Sequence, residues 1–146
     1  MNTENKPIIQ LLEENELKIG KLYKIYSQKI PDQEIFWSRL SREEERHAEE
    51  IFKLDDGSEM FIENDFTREA INYVTGFVDE EIKKAENGEI LKSEAVNTAL
   101  RVEQSIIEKK CLDFFIPSNS RAKEVMGKLN RETDKHIKML QEINHV

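Results

Sequence analysis

The sequence predicts an all-α fold, a four-helix bundle with one long crossover connection that carries an additional helix. Apolar residues recur every three or four positions through long stretches, the spacing of one helix face. Only 5 Gly and 3 Pro interrupt 146 residues, and charged residues reach 36% of the chain. Long solvent-flanked helices have this composition. The length suits one domain, residues 1–146, with a core of its own. No strand alternation or low-complexity stretch competes with this reading.

Core helix one is expected at about 7–29, where Ile8, Leu12, Ile19, Leu22, Tyr23 and Tyr26 share a face and Pro31 ends the run. Asp32 is positioned to cap core helix two, at about 33–54, whose stripe is Phe36, Trp37, Leu40, Ala48, Ile51, Phe52 and Leu54, ending near Asp55, Asp56 and Gly57. The linker between them is short, so the pair forms an antiparallel hairpin. A connector helix at about 67–86 begins with Thr67 as its cap, carries Ala70, Ile71, Val74, Phe77, Val78 and Ile82, and stops at Asn87–Gly88. Phe77 and Ile82 serve equally to seal a homodimer or to cover the bundle. Core helix three, at about 93–114, opens at Ser93 and runs through Val96, Ala99, Leu100, Val102, Ile106, Ile107, Leu112 and Phe114 to Pro117. Ser120 then starts core helix four, at about 119–143, with Val125, Leu129, Met139, Leu140 and Ile143. A connector of roughly 20 residues spans about 30 Å, enough to cross from one hairpin to the start of the other.

The net charge of −8 and pI near 5.0 argue against a nucleic-acid or anionic-membrane partner, and the sequence shows no cluster of Lys and Arg of the kind such binding uses. One cysteine, Cys111, leaves no intrachain disulfide framework, redox pair or four-cysteine metal module. The opening residues lack the apolar core of a signal peptide, and no apolar run approaches the ~20 residues that span a bilayer. A reduced cytoplasmic setting is the expectation. Cys111 itself reads as a small buried hydrophobe and Trp37 as a core anchor.

Polar residues interrupt the apolar stripes in a pattern. Glu16 lies four residues after Leu12 and three before Ile19, so it points into the core. Glu44 lies four after Leu40, with His47 three further on and Ile51 four beyond that. Glu103 follows Ala99 by four and precedes Ile106 by three, while His136 follows Leu129 by seven and precedes Leu140 by four. Each core helix thus offers an inward metal-binding side chain. Buried carboxylates must be paired, protonated or bound to a cation, and several at one level suggest the cation. Glu16 to Glu44 spans 28 residues and Glu103 to Glu132 spans 29, a weak internal repeat of the two hairpins. His145 reads as a frayed terminal residue, and the acidic runs Glu43–Glu45 and Asp79–Glu81 as solvated faces apart from Glu44.

Glu16 with Tyr23, the stretch Phe36–Leu40 leading into Glu43-Glu44-Glu45-Arg46-His47-Ala48, and Glu103 together resemble the rubrerythrin branch of the ferritin-like di-iron carboxylate superfamily. The likeness spans nearly the whole chain. That family places a lone Glu on helices one and three and Glu-x-x-His on helices two and four, holding two metal ions in the core. The resemblance implies two iron ions held by Glu16, Glu44, His47, Glu103, Glu132 and His136, with Mn or Zn accommodated by the same donors. By the same implication Glu44 and one of Glu103 or Glu132 bridge the ions, and Glu16 and the remaining carboxylate terminate them. Helix four departs from the pattern: Thr133 stands three residues before His136, and Glu132 four before it. Glu132 is then either brought onto the metal by a π-bulge or a solvated charge beside a site with one ligand fewer. Thr133 reads as a packing residue, and Tyr23 as a core aromatic or a hydrogen-bond donor to the ligands.

Two functions follow from this resemblance. One is a di-iron oxidoreductase reacting with hydrogen peroxide or dioxygen and drawing electrons from a separate donor protein such as a rubredoxin, since a single cysteine leaves no rubredoxin module in this chain. The other is a ferritin-like metal-binding or interaction module with an incomplete, non-catalytic site, which Thr133 motivates. Iron storage, a third reading, requires a hollow cage of many copies.

Overall fold

Helix α1 (Ile8–Lys29) starts where the Pro7 carbonyl accepts the N–H groups of Gln10 and Leu11 at 3.0 and 3.1 Å. It ends at Ile30, whose φ of −123° and ψ of 80° leave the helical region because the following Pro31 disfavours it. A single 3-10 turn, Pro31–Gln33, leads into α2 (Glu34–Phe52). This computed structural model describes residues 6–53, 65–105 and 120–143; within them lie three further helices, α3 (Asp65–Asn87), α4 (Lys92–Glu103) and α5 (Ser120–Ile143). The described residues are all-helical, without strands.

Partner residues give the helix directions. Tyr26 meets Trp37, Gly20 meets Ser41 and Glu16 faces His47, so α2 descends as α1 ascends. Lys6–Arg68, Asn15–Thr75, Lys18–Asp79 and Lys29–Gly88 rise together, which makes α3 parallel to α1. Lys92 pairs with Asp32 and Glu103 with Tyr23, so α4 runs antiparallel to α1. Arg121 reaches Lys53, Lys128 reaches Glu50 and Glu132 reaches His47, so α5 is antiparallel to α2. The connector α3 therefore returns the chain along the length of α1 before α4 begins.

Some boundaries differ from the periodicity. Asp32 does not cap α2; Gln33 holds the capping position without a side-chain cap bond, its side chain accepting instead from Trp37 Nε1 at 3.0 Å, while Asp32 pairs with Lys92. Helix α3 begins at Asp65, ahead of Thr67, and α4 at Lys92, ahead of Ser93. Helix α4 ends at Glu103 rather than running on, because Gln104 adopts φ −88° and ψ 3° and Ser105 bonds back to Val102 over three residues, tightening the last turn. Leu54, Asp55, Asp56, Gly57, Ile106, Ile107, Cys111, Leu112, Phe114, Pro117 and His145 lie outside the described residues.

The core is led by Trp37, Tyr23, Leu12, Ile19, Leu22, Leu40, Ile51, Ile71 and Met126, all fully buried. Such side chains contribute about 1.5–3 kcal/mol each by leaving water. Tyr23, Tyr26, Phe36 and Trp37 form one aromatic cluster with ring centroids 5.0–6.5 Å apart. Burial drives the Tyr26 phenol well above its ordinary pKa, so it stays protonated. Ile82 is buried, and Phe77 packs on the core beneath the Arg101 guanidinium, 4.7 Å from the ring centroid. The connector's apolar face thus covers this chain. No helix among the described residues is long and apolar enough to cross a membrane.

Candidate metal centre

Close approach of α1 and α2 sets the centre. Ser41 Oγ donates to the Gly20 carbonyl at 2.8 Å, and a Cβ on Gly20 would stand 3.4 Å from both Glu44 Cβ and Ser41 O. Only a glycine or a very small side chain lets the helices meet at this depth, one turn from Glu16 on α1 and beside Glu44 on α2. Glu16, Glu44, His47, Glu103 and His136 are then all buried, none more than 3% exposed. Four helices converge on one level, and each sequence-predicted stripe residue reaches it.

Two three-residue groups form there, Glu16–Glu44–His47 and Glu44–Glu103–His136, each with ligand atoms within 4.8 Å of one another. Glu44 is common to both. His47 presents Nδ1 at 3.4 Å from Glu44 Oε2 and 3.9 Å from Glu16 Oε2. His136 presents Nδ1 at 2.9 Å from Glu103 Oε1 and 3.3 Å from Glu44 Oε1. The two imidazoles lie nearly parallel, 5.7 Å between centroids. Tyr23 Oη donates to Glu103 Oε1 at 3.2 Å, so this buried core aromatic also takes the donor role that the sequence left open.

The far nitrogens are engaged crosswise. His47 Nε2 meets Glu132 of α5, and His136 Nε2 meets Glu43 of α2 at 3.1 Å. Glu132 accordingly does not join either ligand group, and α5 is an uninterrupted α-helix with no π-bulge to carry it there. Its carboxylate instead lies against His47 Nε2, the position that outer carboxylates take beside metal-bound imidazoles. Glu43, which the charge run marked as solvated, accepts from the far nitrogen of His136 in the corresponding way. Both glutamates stand four residues before a histidine of their own helix or its partner's equivalent, a shared offset that was visible in the sequence: Glu43–His47 and Glu132–His136. Thr133, buried to 1%, occupies on α5 the position that Glu44 holds on α2.

Burial alone would lower the His136 pKa. Carboxylates of Glu103 and Glu44 against Nδ1 outweigh it and hold the imidazole protonated, with a pKa of about 12. Burial would likewise raise Glu43, but the hydrogen bond and charge of His136, with Arg39, pull its pKa below the usual carboxylate value. Among the described residues, Glu103 Oε2 and His47 Nδ1 are buried without a hydrogen-bond partner. Buried polar atoms in this state call for a partner. Carboxylate oxygens and imidazole nitrogens aimed at common points are donors for a divalent cation, so these clusters could hold a metal ion.

No family model, no curated protein and no solved structure matches this chain.

Proposed function

We propose that the chain is a ferritin-like four-helix bundle of rubrerythrin type, with α1, α2, α4 and α5 as its core and α3 as the crossover helix, and that it is a di-iron carboxylate oxidoreductase acting on hydrogen peroxide or dioxygen. The observation that carries this reading is the convergence of Glu16, Glu44, His47, Glu103 and His136 from four helices, buried, with both Nδ1 atoms facing the shared Glu44. Dinuclear centres of this superfamily are built from such inward side chains on facing helices. Glu16, Glu44 and His47 would hold one ion and Glu44, Glu103 and His136 the other. Ferrous iron held by these residues would supply the electrons for reducing the oxidant. Around it, Tyr23 steadies Glu103, Glu43 and Glu132 fix the imidazoles, and the apolar layers of Leu12, Ile19 and Ile51 limit water.

Replacement electrons come, in this reading, from a separate donor protein such as a rubredoxin, in the reducing cytoplasm. Anaerobic loading with ferrous iron should give about two irons per chain, and stopped-flow mixing with peroxide should oxidise them much faster than free ferrous iron. Oxidation no faster than free iron, at full loading, refutes the enzyme. Buried Thr133 in place of a fourth carboxylate favours one rival, a metal-binding module without turnover. That outcome would retain two irons and lack the rapid phase.

A further inference from the structure

We infer that the two cation positions are unequal: the first ion binds at Glu44–Glu103–His136, and the second, at Glu16–Glu44–His47, binds at least tenfold more weakly because, among the described residues, Glu44 alone belongs to both groups. This inference rests on the reading of the centre as dinuclear.

The two hairpins present matched motifs in register. Glu43 and Glu132 engage the histidines crosswise, and His47 and His136 face the interior through the same nitrogen. With those pairs aligned, the α5 counterpart of Glu44 is the residue three before His136, which is Thr133. It is buried, three residues before His136 on the same helix, so the departure is inside the fold and not at the surface. Glu132 cannot substitute, being committed to the far nitrogen of His47. Among the described residues, three carboxylates, Glu16, Glu44 and Glu103, therefore serve both positions.

Two divalent ions in a dinuclear site stand about 3.5–4 Å apart, where their repulsion in a poorly solvated interior is strong. Carboxylates lying between the ions offset that repulsion more than those at the ends. Halving the bridges from two to one leaves the second ion to bind against a less screened first one. Affinities then separate stepwise. Geometry sets the order. Nitrogen and oxygen donors about 2.1 Å from one ion lie roughly 3.0–3.4 Å from each other. His136 Nδ1 stands 2.9 and 3.3 Å from its two carboxylates, close to that spacing once an ion replaces the proton they share, whereas Glu16 stands 3.9 Å from His47 Nδ1 and must move inward. Glu103 is also braced by Tyr23, so less side-chain freedom is lost there on binding.

The test is a titration of the metal-free full-length chain with Co2+ against a competing chelator, read from visible absorbance and from calorimetry. Two binding steps at least tenfold apart are expected. Glu16→Gln should remove the weaker step and leave the tighter one within about threefold, while Glu103→Gln removes the tighter step. Thr133→Glu should bring the two steps to within about threefold by restoring a second bridge. Equal steps in the wild type, or equal loss of both in Glu16→Gln, overturn the inference while leaving the dinuclear reading intact. No uptake of Co2+ overturns the dinuclear reading itself. Should Thr133→Glu fail to fold by circular dichroism, the wild-type and Glu16→Gln titrations decide the matter between them.

Discussion

In the proposed centre a proton and a cation compete for His136, and the competition has a calculable pH signature. Without metal, Glu103 and Glu44 outweigh burial and keep the imidazole charged far above the value of about 6.5 that a histidine has when unfolded. Above roughly pH 6.5 the native chain therefore holds one proton more than the unfolded chain. The stability this contributes is complete below the unfolded pKa and is lost as pH rises toward the folded one, about 12. The slope is about 1.4 kcal/mol per pH unit, so raising the pH from roughly 7 to 8.5 should cost the metal-free chain about 2 kcal/mol through this group. Ligation requires the neutral imidazole, so a bound ion displaces that proton and affinity for the first ion should climb about tenfold per pH unit over the same range. Urea unfolding in chelator, wild type against His136→Gln, isolates the stability effect, and metal competition at the same pH values tests the affinity. Wild-type and His136→Gln stabilities that run parallel across this range would refute the reasoning.

Glu43→Gln and Glu132→Gln should each lower cation affinity about 10- to 100-fold with far-UV circular dichroism unchanged, because each removes the carboxylate that orients the cross-helix histidine. Affinities within about twofold of wild type would show that neither orients anything. Trp37→Ala should cost about 3–5 kcal/mol in chemical denaturation, since the indole is fully buried among Tyr23, Tyr26 and Phe36; a loss under about 1 kcal/mol contradicts its role as an anchor. At Gly20 an added Cβ meets only ordinary contact at 3.4 Å, so Gly20→Ala should stay within about 1 kcal/mol of wild type by thermal unfolding. Gly20→Val pushes further atoms toward Ser41 and Glu44 and should cost about 1–3 kcal/mol and weaken metal binding, and equal behaviour of the two variants would remove the steric argument.

What could be read from the sequence was whatever helical periodicity controls. Glu16, Glu44, His47, Glu103 and His136 each sit a whole number of turns from core residues on their own helix, so their burial follows from local spacing. Glu43 and Glu132 lie one residue off those stripes, about 100° around the helix, where periodicity assigns them to solvent. Their function depends on the register of α2 against α5, which no single helix encodes. The end of α4 was hidden for a related reason: Ala99, Val102 and Ile106 continue the apolar rhythm straight through Gln104, so nothing in the pattern marks the turn. Asp32 was a plausible cap by residue type, but Lys92, 60 positions later, attracts it instead.

The centre also bears on why the chain folds as it does. Three buried carboxyl groups face two imidazoles, so acid is in excess at that level of the core. Such an excess must hold a proton or recruit a cation, since bare carboxylates are costly in a poorly solvated interior. In the metal-free chain the His136 proton answers part of the demand, lying between Glu103 and Glu44 where the shared ligand atoms converge. Aromatic packing around Trp37, toward the α1–α2 turn, secures the hairpin independently of that charge. The α5 half has no equivalent aromatic cluster among the described residues; it buries Met126, Leu129, Ile137 and Leu140 and pairs with α2 through Lys128–Glu50, Glu132–His47 and His136–Glu43. A cation held by His136 of α5 and by carboxylates of α1, α2 and α4 would tie α5 to the other helices at that level, so metal binding should raise protection of the α5 amides from hydrogen exchange.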